Sequence, residues 1–180
     1  FENINVPPML MAFGITTVDA GQVISPELKY EGNRLYLIKH TPLADHMPDT
    51  EQLKANWNFI HEQVQAENVV SAYALGFGGL AEAICKMSFG NGLDAKITYD
   101  EKELFNYAYG SILVESEVEL DYPNAILIGE VTDGEESELT INGKKFDIFE
   151  LMAVNSGRFA QVYPDTAEAY NSKTVPAGLD

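Results

Sequence analysis

Residues 69–92, VVSAYALGFGGLAEAICKMSFGNG, limit the folds open to this chain more than any other stretch. Val69 and Val70 open it as a short apolar run, the mark of a buried strand. Gly76-Phe77-Gly78-Gly79 then permits a tight turn. Leu80, Ile84 and Met87 follow at a helical period, with Glu82 and Lys86 off their face. Gly90-Asn91-Gly92 predicts the stop, because glycine accepts the left-handed conformation that helix ends often need. Strand, glycine turn and helix make a compact core unit that can aim backbone N–H groups at an anion. Gly76, Gly78 and Gly79 are therefore the candidate ligand-binding residues. The turn lacks the Lys-Ser/Thr ending of a P-loop, and close helix–strand packing is the competing reason for glycine there.

The flanking chain supplies the layers around this unit. Residues 9–18 (MLMAFGITTV) read as a central strand, apolar nearly throughout. Pro7 and Pro8 hold the lead-in extended. Residues 35–40 (LYLIKH) give a second strand. Asp49 with Gln52 forms a capping-box variant, opening a helix with Leu53, Trp57, Ile60 and Val64 as its apolar stripe. Further strands are expected at 95–98, 111–115 and 125–132, and residues 100–105 suggest one or two helical turns. Asn142-Gly143 between apolar-alternating runs is the plainest hairpin signal. Asp147 with Glu150 starts a last helix, with Ile148, Leu151 and Met152 inward, and Ser156-Gly157 ends it. Helices and strands interleave until the hairpin breaks the alternation. The expected class is α+β, a mixed sheet packed with helices. Residues 1–166 form one domain, and the polar segment 167–180 is a linker.

Composition narrows the partners. The chain has 180 residues, with 11 Lys and Arg against 28 Asp and Glu, a formal charge of −17. That charge repels phosphate backbones, and no Lys/Arg cluster offsets it, so nucleic acid is not an expected partner. No apolar run reaches membrane-spanning length, no signal-peptide pattern opens the chain, and a cytoplasmic location is the default expectation. The first residue is Phe1 rather than Met, which suggests a piece of something longer. Cys85 stands alone, so an internal disulfide is excluded, and its helical position favours a buried, inert thiol.

Other chemistry-bearing residues are less directive. His40 and His46 share a loop that could offer two ligands or an acid–base pair, whereas His61 falls at the flank of a helix. Their spacing matches no known ligand motif, and no metal site is expected. Glu115, Glu117, Glu119 and Asp121 alternate as a solvated strand face would. Tyr99, Tyr107 and Tyr109 read as residues at the rim of the core. No nucleophile elbow is present, and no catalytic residue can be nominated from spacing.

VVSAYALGFGGLAEAICKMSFGNGLDAKI resembles the C-terminal domain of the aminoimidazole ribonucleotide synthetase superfamily. That superfamily carries a strand, His-Asp-x-Ser-Asp-Gly-Gly-Leu, a helix and a Gly-x-Gly-Ala-x-Ile strand. VISPELKYEGNRLYLI is similar to the segment leading to its second strand, and AILIGEVTDG to its Ile-Gly-x-Val run. Within the superfamily, FDIFELMAVNSGRFAQVYPDT is similar to the phosphoribosylformylglycinamidine synthase family, where a linker like NSKTVPAGLD leads into a glutaminase domain.

The resemblance implies a purine-biosynthesis ligase. In that family ATP activates the amide oxygen of formylglycinamide ribonucleotide, and ammonia from glutamine displaces phosphate to give the amidine. ATP and Mg2+ are expected in the full enzyme, with none tightly bound to this domain alone. The implied partners are the paired synthetase domains and the glutaminase domain of one synthase, and self-association of the isolated piece is left open. Set in register with Gly78-Gly79-Leu80, the family's His falls on Tyr73, its acids on Ala74 and Phe77, and its Ser on Gly76. No Gly-Gly-Ser loop appears near residues 40–48. The chain is thus read as the second, degenerate copy in a long-chain synthase, inactive in isolation and completing the synthetase core. A non-catalytic interaction module of the same fold is the alternative.

Overall fold

The structure is a computed structural model, and it describes residues 9–133, 136–158 and 160. Seven strands and three α-helices follow one another along them, with β3 to β7 consecutive: β1 (Arg34–Ile38), α1 (Thr50–Gln65), β2 (Val69–Ala74), α2 (Gly79–Phe89), β3 (Asp94–Ile97), β4 (Ile112–Ser116), β5 (Ala125–Thr132), β6 (Glu138–Ile141), β7 (Lys144–Asp147) and α3 (Ile148–Gly157). The strands form one sheet in the order β2-β4-β1-β5-β3-β6-β7. Only β3 and β6 pair in parallel; the other neighbours are antiparallel. This is the mixed α+β sheet that the sequence pattern predicts.

The sheet separates two apolar layers. Leu35 and Leu37 of β1 point into the larger core, where Leu80, Ile84 and Met87 of α2 and Ile148 of α3 meet them. Tyr36 and Ile38 point the other way, towards Ile60 of α1 and Val114 of β4. Successive side chains of a strand leave on opposite faces, so a strand covered on both sides reads as an unbroken apolar run.

Local signals explain the element ends. Asp49 Oδ1 accepts from the backbone N–H of Glu51 and of Gln52, capping α1. Asp147 does the same for α3 through Glu150 N–H. Asn142 and Gly143 both take positive φ between β6 and β7, as a two-residue hairpin turn of this hand requires. At the end of α2 the left-handed residue is Gly92, with φ 65°, two residues beyond the Gly90 cap.

Three expectations are corrected. Residues 9–18 are not a central strand: they have no strand pairing, and Leu10 and Ile15 are almost wholly exposed. Residues 100–106 form hydrogen-bonded turns rather than a helix. On α1, Trp57 points out and Asn56 points in, because Asn56 supplies a hydrogen-bond set described below. The extended lead-in at 1–8 and the linker at 167–180 lie outside the described residues. Among those described, no helix is long and apolar enough to cross a membrane.

Candidate functional site

The glycine turn joins the end of β2 to the start of α2, at one end of the sheet. Leu75 N–H donates to Ser111 O, so β2 is anchored to the residue preceding β4 just before the chain reverses. Gly79 has φ 64°, and a Cβ there would lie 2.6 Å from Asn106 O and 2.8 Å from Leu104 O. Glycine is therefore required at this position both by conformation and by the backbone of the 104–106 turn. A Cβ on Gly78 would lie 2.5 Å from Glu82 Cβ. At Gly76 the nearest atom would be 3.8 Å away, ordinary contact distance.

Several backbone donors at this helix end have partners from within the chain. Gly78 N–H donates to Glu82 Oε2 at 2.8 Å, Gly79 N–H to Gly76 O, and Ala81 N–H to Leu104 O. The other Glu82 oxygen pairs with Lys86 Nζ at 2.7 Å. Lys86 first, and then the Gly78 N–H, hold the Glu82 carboxyl below the usual carboxylate range. The positive end of α2 thus faces an ionised carboxylate of its own first turn.

Beside the turn, α2 and α3 flank an open cleft of about 500 Å³ whose lining includes Phe77, Glu82, Cys85, Lys86 and Leu151. Burial pushes the Cys85 thiol up to about 11, which leaves it protonated and a poor nucleophile at neutral pH. Phe77 is exposed and stacks on Tyr107, ring centres 4.9 Å apart, with Tyr109 next in line at 6.3 Å from Tyr107. Tyr107 and Tyr109 therefore stand outside the core, whereas Tyr99 packs against it.

The histidines are not brought together as a ligand pair. His40 is buried, with Nδ1 2.9 Å from Tyr109 O and Nε2 accepting from Asp49 N–H. Both ring nitrogens are used, as a neutral tautomer protonated on Nδ1 allows. His46 sits exposed in a turn at φ 65°, and His61 is exposed on α1. Among the described residues, no group of three or more His, Cys, Asp or Glu is placed to hold a metal ion.

Glu115 and Asn56 are among the buried polar groups that escaped the sequence reading. Glu115 does not belong to a solvated face: it is fully buried, while Glu117, Glu119 and Asp121 are exposed. Its Oε1 accepts from Tyr30 N–H at 3.0 Å and Asn33 Nδ2 at 2.7 Å, and its Oε2 from Lys29 N–H at 2.8 Å. Burial raises its pKa, against the opposing effect of those donors. Asn56 is likewise buried; its Oδ1 accepts from Tyr122 Oη and Asn124 Nδ2, each at 2.8 Å, and its amide donates to Lys39 O. The signal for Glu115 was its place at the end of the apolar run SILVE, which belongs to a strand covered on both faces. Nothing in the sequence marks Asn56.

No protein-family model matches the chain. A weak sequence relative is the phosphoribosylformylglycinamidine synthase subunit PurL of Lactobacillus delbrueckii subsp. bulgaricus, 26% identical over 174 residues. That match takes in 82% of this chain and 23% of the relative, so the chain spans about a quarter of its length. Among solved structures, Thermotoga maritima PurL complexed with AMPPCP superposes with a TM-score of 0.58 over 74% of this chain and 28% of the other, at 14% identity. Phosphoribosylformylglycinamidine synthase II from Thermotoga maritima gives 0.59 over 88% and 31%, at 13% identity. The fold is that of a PurL-like synthetase core.

Proposed function

We propose that this chain is a synthetase-core domain of a phosphoribosylformylglycinamidine synthase, and that its role there is to complete the core rather than to carry the reaction. The observation behind the proposal is the joint likeness: one PurL-type sheet, and sequence similarity running over 82% of the chain. The enzyme concerned would be an ATP-dependent ligase that takes nitrogen from glutamine, working in the cytoplasm. The partners proposed are the paired synthetase domains and the glutaminase domain of the same synthase.

The turn's own chemistry supports a scaffold role. The positions in register with the superfamily's acids are Ala74 and Phe77, neither of which can hold Mg2+. A nucleotide phosphate arriving at Gly78 would meet the Glu82 carboxylate already bonded to that N–H. The residues present at Gly76, Gly78 and Gly79 therefore do not fit a triphosphate with its cation, and no step is routed through them. ATP and Mg2+ would be held by other parts of the enzyme.

Reconstitution tests the proposal. Supplying the chain together with the other domains of its synthase should give amidine formation that depends on glutamine and ATP. Titrating the isolated chain with ATP and with ADP should give no saturable binding. No activity in the complete assembly would remove the enzymatic reading; saturable nucleotide binding by the chain alone would remove the scaffold role.

A further inference from the structure

Glycine directly follows asparagine twice in this chain, at Asn91-Gly92 and Asn142-Gly143. That pair has a chemistry of its own. With no side chain on the second residue, its backbone nitrogen can reach the asparagine Cγ and close a five-membered ring. Neither the Gly92 nor the Gly143 N–H has a hydrogen-bond acceptor among the described residues, so the attacking nitrogen is equally free at both. What separates the two sites is how the asparagine is held.

Asn142 is held on two sides. It is half-buried in the turn between the paired strands β6 and β7. Its N–H donates to Ile97 O and its Oδ1 accepts from Tyr99 N–H, each at 2.9 Å. Swinging Cγ towards Gly143 breaks the side-chain bond and pulls against the main-chain one. Asn91 is exposed and stands between Gly90 and Gly92, outside helix and strand. Its side chain makes a single bond, Nδ2 donating to Leu28 O at 2.7 Å.

That one bond has a structural consequence. Leu28 is fully buried, and the end of α2 holds it from both directions. Leu28 N–H donates to Met87 O at 2.9 Å, and Leu28 O accepts from Asn91. The next two residues, Lys29 and Tyr30, give their N–H groups to the buried Glu115. The Asn91 amide thus helps seat the segment that satisfies that carboxylate.

We propose that Asn91 is a site of spontaneous deamidation, and that its conversion unclamps residues 28–30 from the end of α2. The Gly92 nitrogen loses its proton to solvent and attacks Cγ of Asn91. The Cγ–Nδ2 bond breaks, and the side-chain nitrogen leaves as ammonia. Water then opens the cyclic imide: cleavage at Cγ gives aspartate, and cleavage at the main-chain carbonyl gives isoaspartate. One water enters, one ammonia leaves, and nothing is oxidised or reduced. The new carboxylate has no N–H for Leu28 O, so an acceptor comes to face an acceptor. It also adds a negative charge to a chain whose formal charge is already −17.

Incubating the 180-residue chain at mildly alkaline pH, followed by peptide mapping with tandem mass spectrometry, tests the assignment. Acid at position 91 should accumulate at least about tenfold faster than at 142, since each hydrogen bond that must open first slows the closure. In urea, where neither asparagine is held, the two sites should convert at similar rates. Asn91→Gln, whose longer side chain closes a six-membered ring far more slowly, should remove conversion at 91 and leave 142 as it was. Asn91→Asp should reproduce the outcome: the amide hydrogens of residues 28–30 should exchange about tenfold faster than in wild type, with the β6–β7 hairpin unchanged. Folded chain in which 142 keeps pace with 91, unequal rates in urea, or Asn91→Asp with wild-type exchange at 28–30 would each overturn the proposal.

Discussion

Replacing Glu115 by alanine should remove a large share of the stability of this fold. The carboxylate accepts three N–H groups, two from the backbone of residues 29 and 30 and one from Asn33. Without it those donors are left without their acceptor, at about 1–3 kcal/mol each. Relief from burying the charge offsets part of this, so a net loss of about 4 kcal/mol is expected. Against a total of about 5–15 kcal/mol for a domain, that is enough to populate the unfolded state. Glu115→Gln keeps the shape and lets the amide oxygen retain the two bonds of Oε1. Its NH2 then faces Lys29 N–H, stranding one donor, at about 1–3 kcal/mol.

Urea unfolding reads both losses. With m near 2 kcal/mol/M, Glu115→Ala should lower the midpoint by about 2 M at unchanged m, with Glu115→Gln in between. The pH dependence supplies a second reading. Burial raises the folded pKa of Glu115 above its ordinary 4.5, so the folded state binds this proton more tightly than the unfolded state. The contribution of the group is then greatest below pH 4.5 and is lost as pH rises through the folded pKa. Wild type should gain on Glu115→Gln as pH falls through that window. A loss under about 1 kcal/mol for Glu115→Ala would refute the reasoning, since it would mean the three donors find other partners at no cost.

Further substitutions probe the rest of the frame. Gly79→Ala forces a left-handed alanine against Asn106 O and Leu104 O, and should cost about 3 kcal/mol, visible as a lower thermal midpoint. Asn56→Ala strands the Tyr122 hydroxyl and the Asn124 amide and should cost about 3 kcal/mol by urea unfolding, whereas the neighbouring Trp57→Ala should cost under about 1 kcal/mol. Glu82→Gln weakens the bond to Gly78 N–H and breaks the pair with Lys86, and about 1 kcal/mol should be lost. Glu82 has a lowered pKa, so its contribution is present above the ordinary 4.5 and lost as pH falls through the folded value; the Gln variant should lack that loss.

Where periodicity and turn chemistry act locally, the sequence was a sufficient guide. Asn142-Gly143 can adopt the two positive φ values of a hairpin with little strain, and the hairpin is there. Asp49 and Asp147 cap the helices they precede. Leu80, Ile84 and Met87 line one face of α2, and that face is buried. The misreadings arise where a residue's state depends on a partner far along the chain. MLMAFGITTV has the composition of a central strand, but composition cannot say whose sheet accepts it. Asn56 displaces Trp57 from the inner face of α1 because Lys39, Tyr122 and Asn124 converge there, from segments 17, 66 and 68 residues away. Glu115 looked like the first of an exposed acidic series because its donors lie more than 80 residues back.

The glycine turn shows why a motif on its own does not settle a site. A helix N-terminus after a strand offers directed N–H groups and partial positive charge, and an anion bound there is stabilised by both. What occupies that position depends on side chains nearby, which a glycine pattern does not include. In this chain Glu82, four residues beyond Gly78, returns its carboxylate to that N–H, and Lys86, one turn further, holds it ionised and in place. An external phosphate would have to displace a tethered carboxylate, whose effective concentration is high because it is part of the same helix. The same backbone can therefore serve as a ligand cradle or as a closed joint between β2 and α2. The acid at position 82 favours the joint, and the tight fit of Gly79 against the 104–106 backbone secures it on the other side.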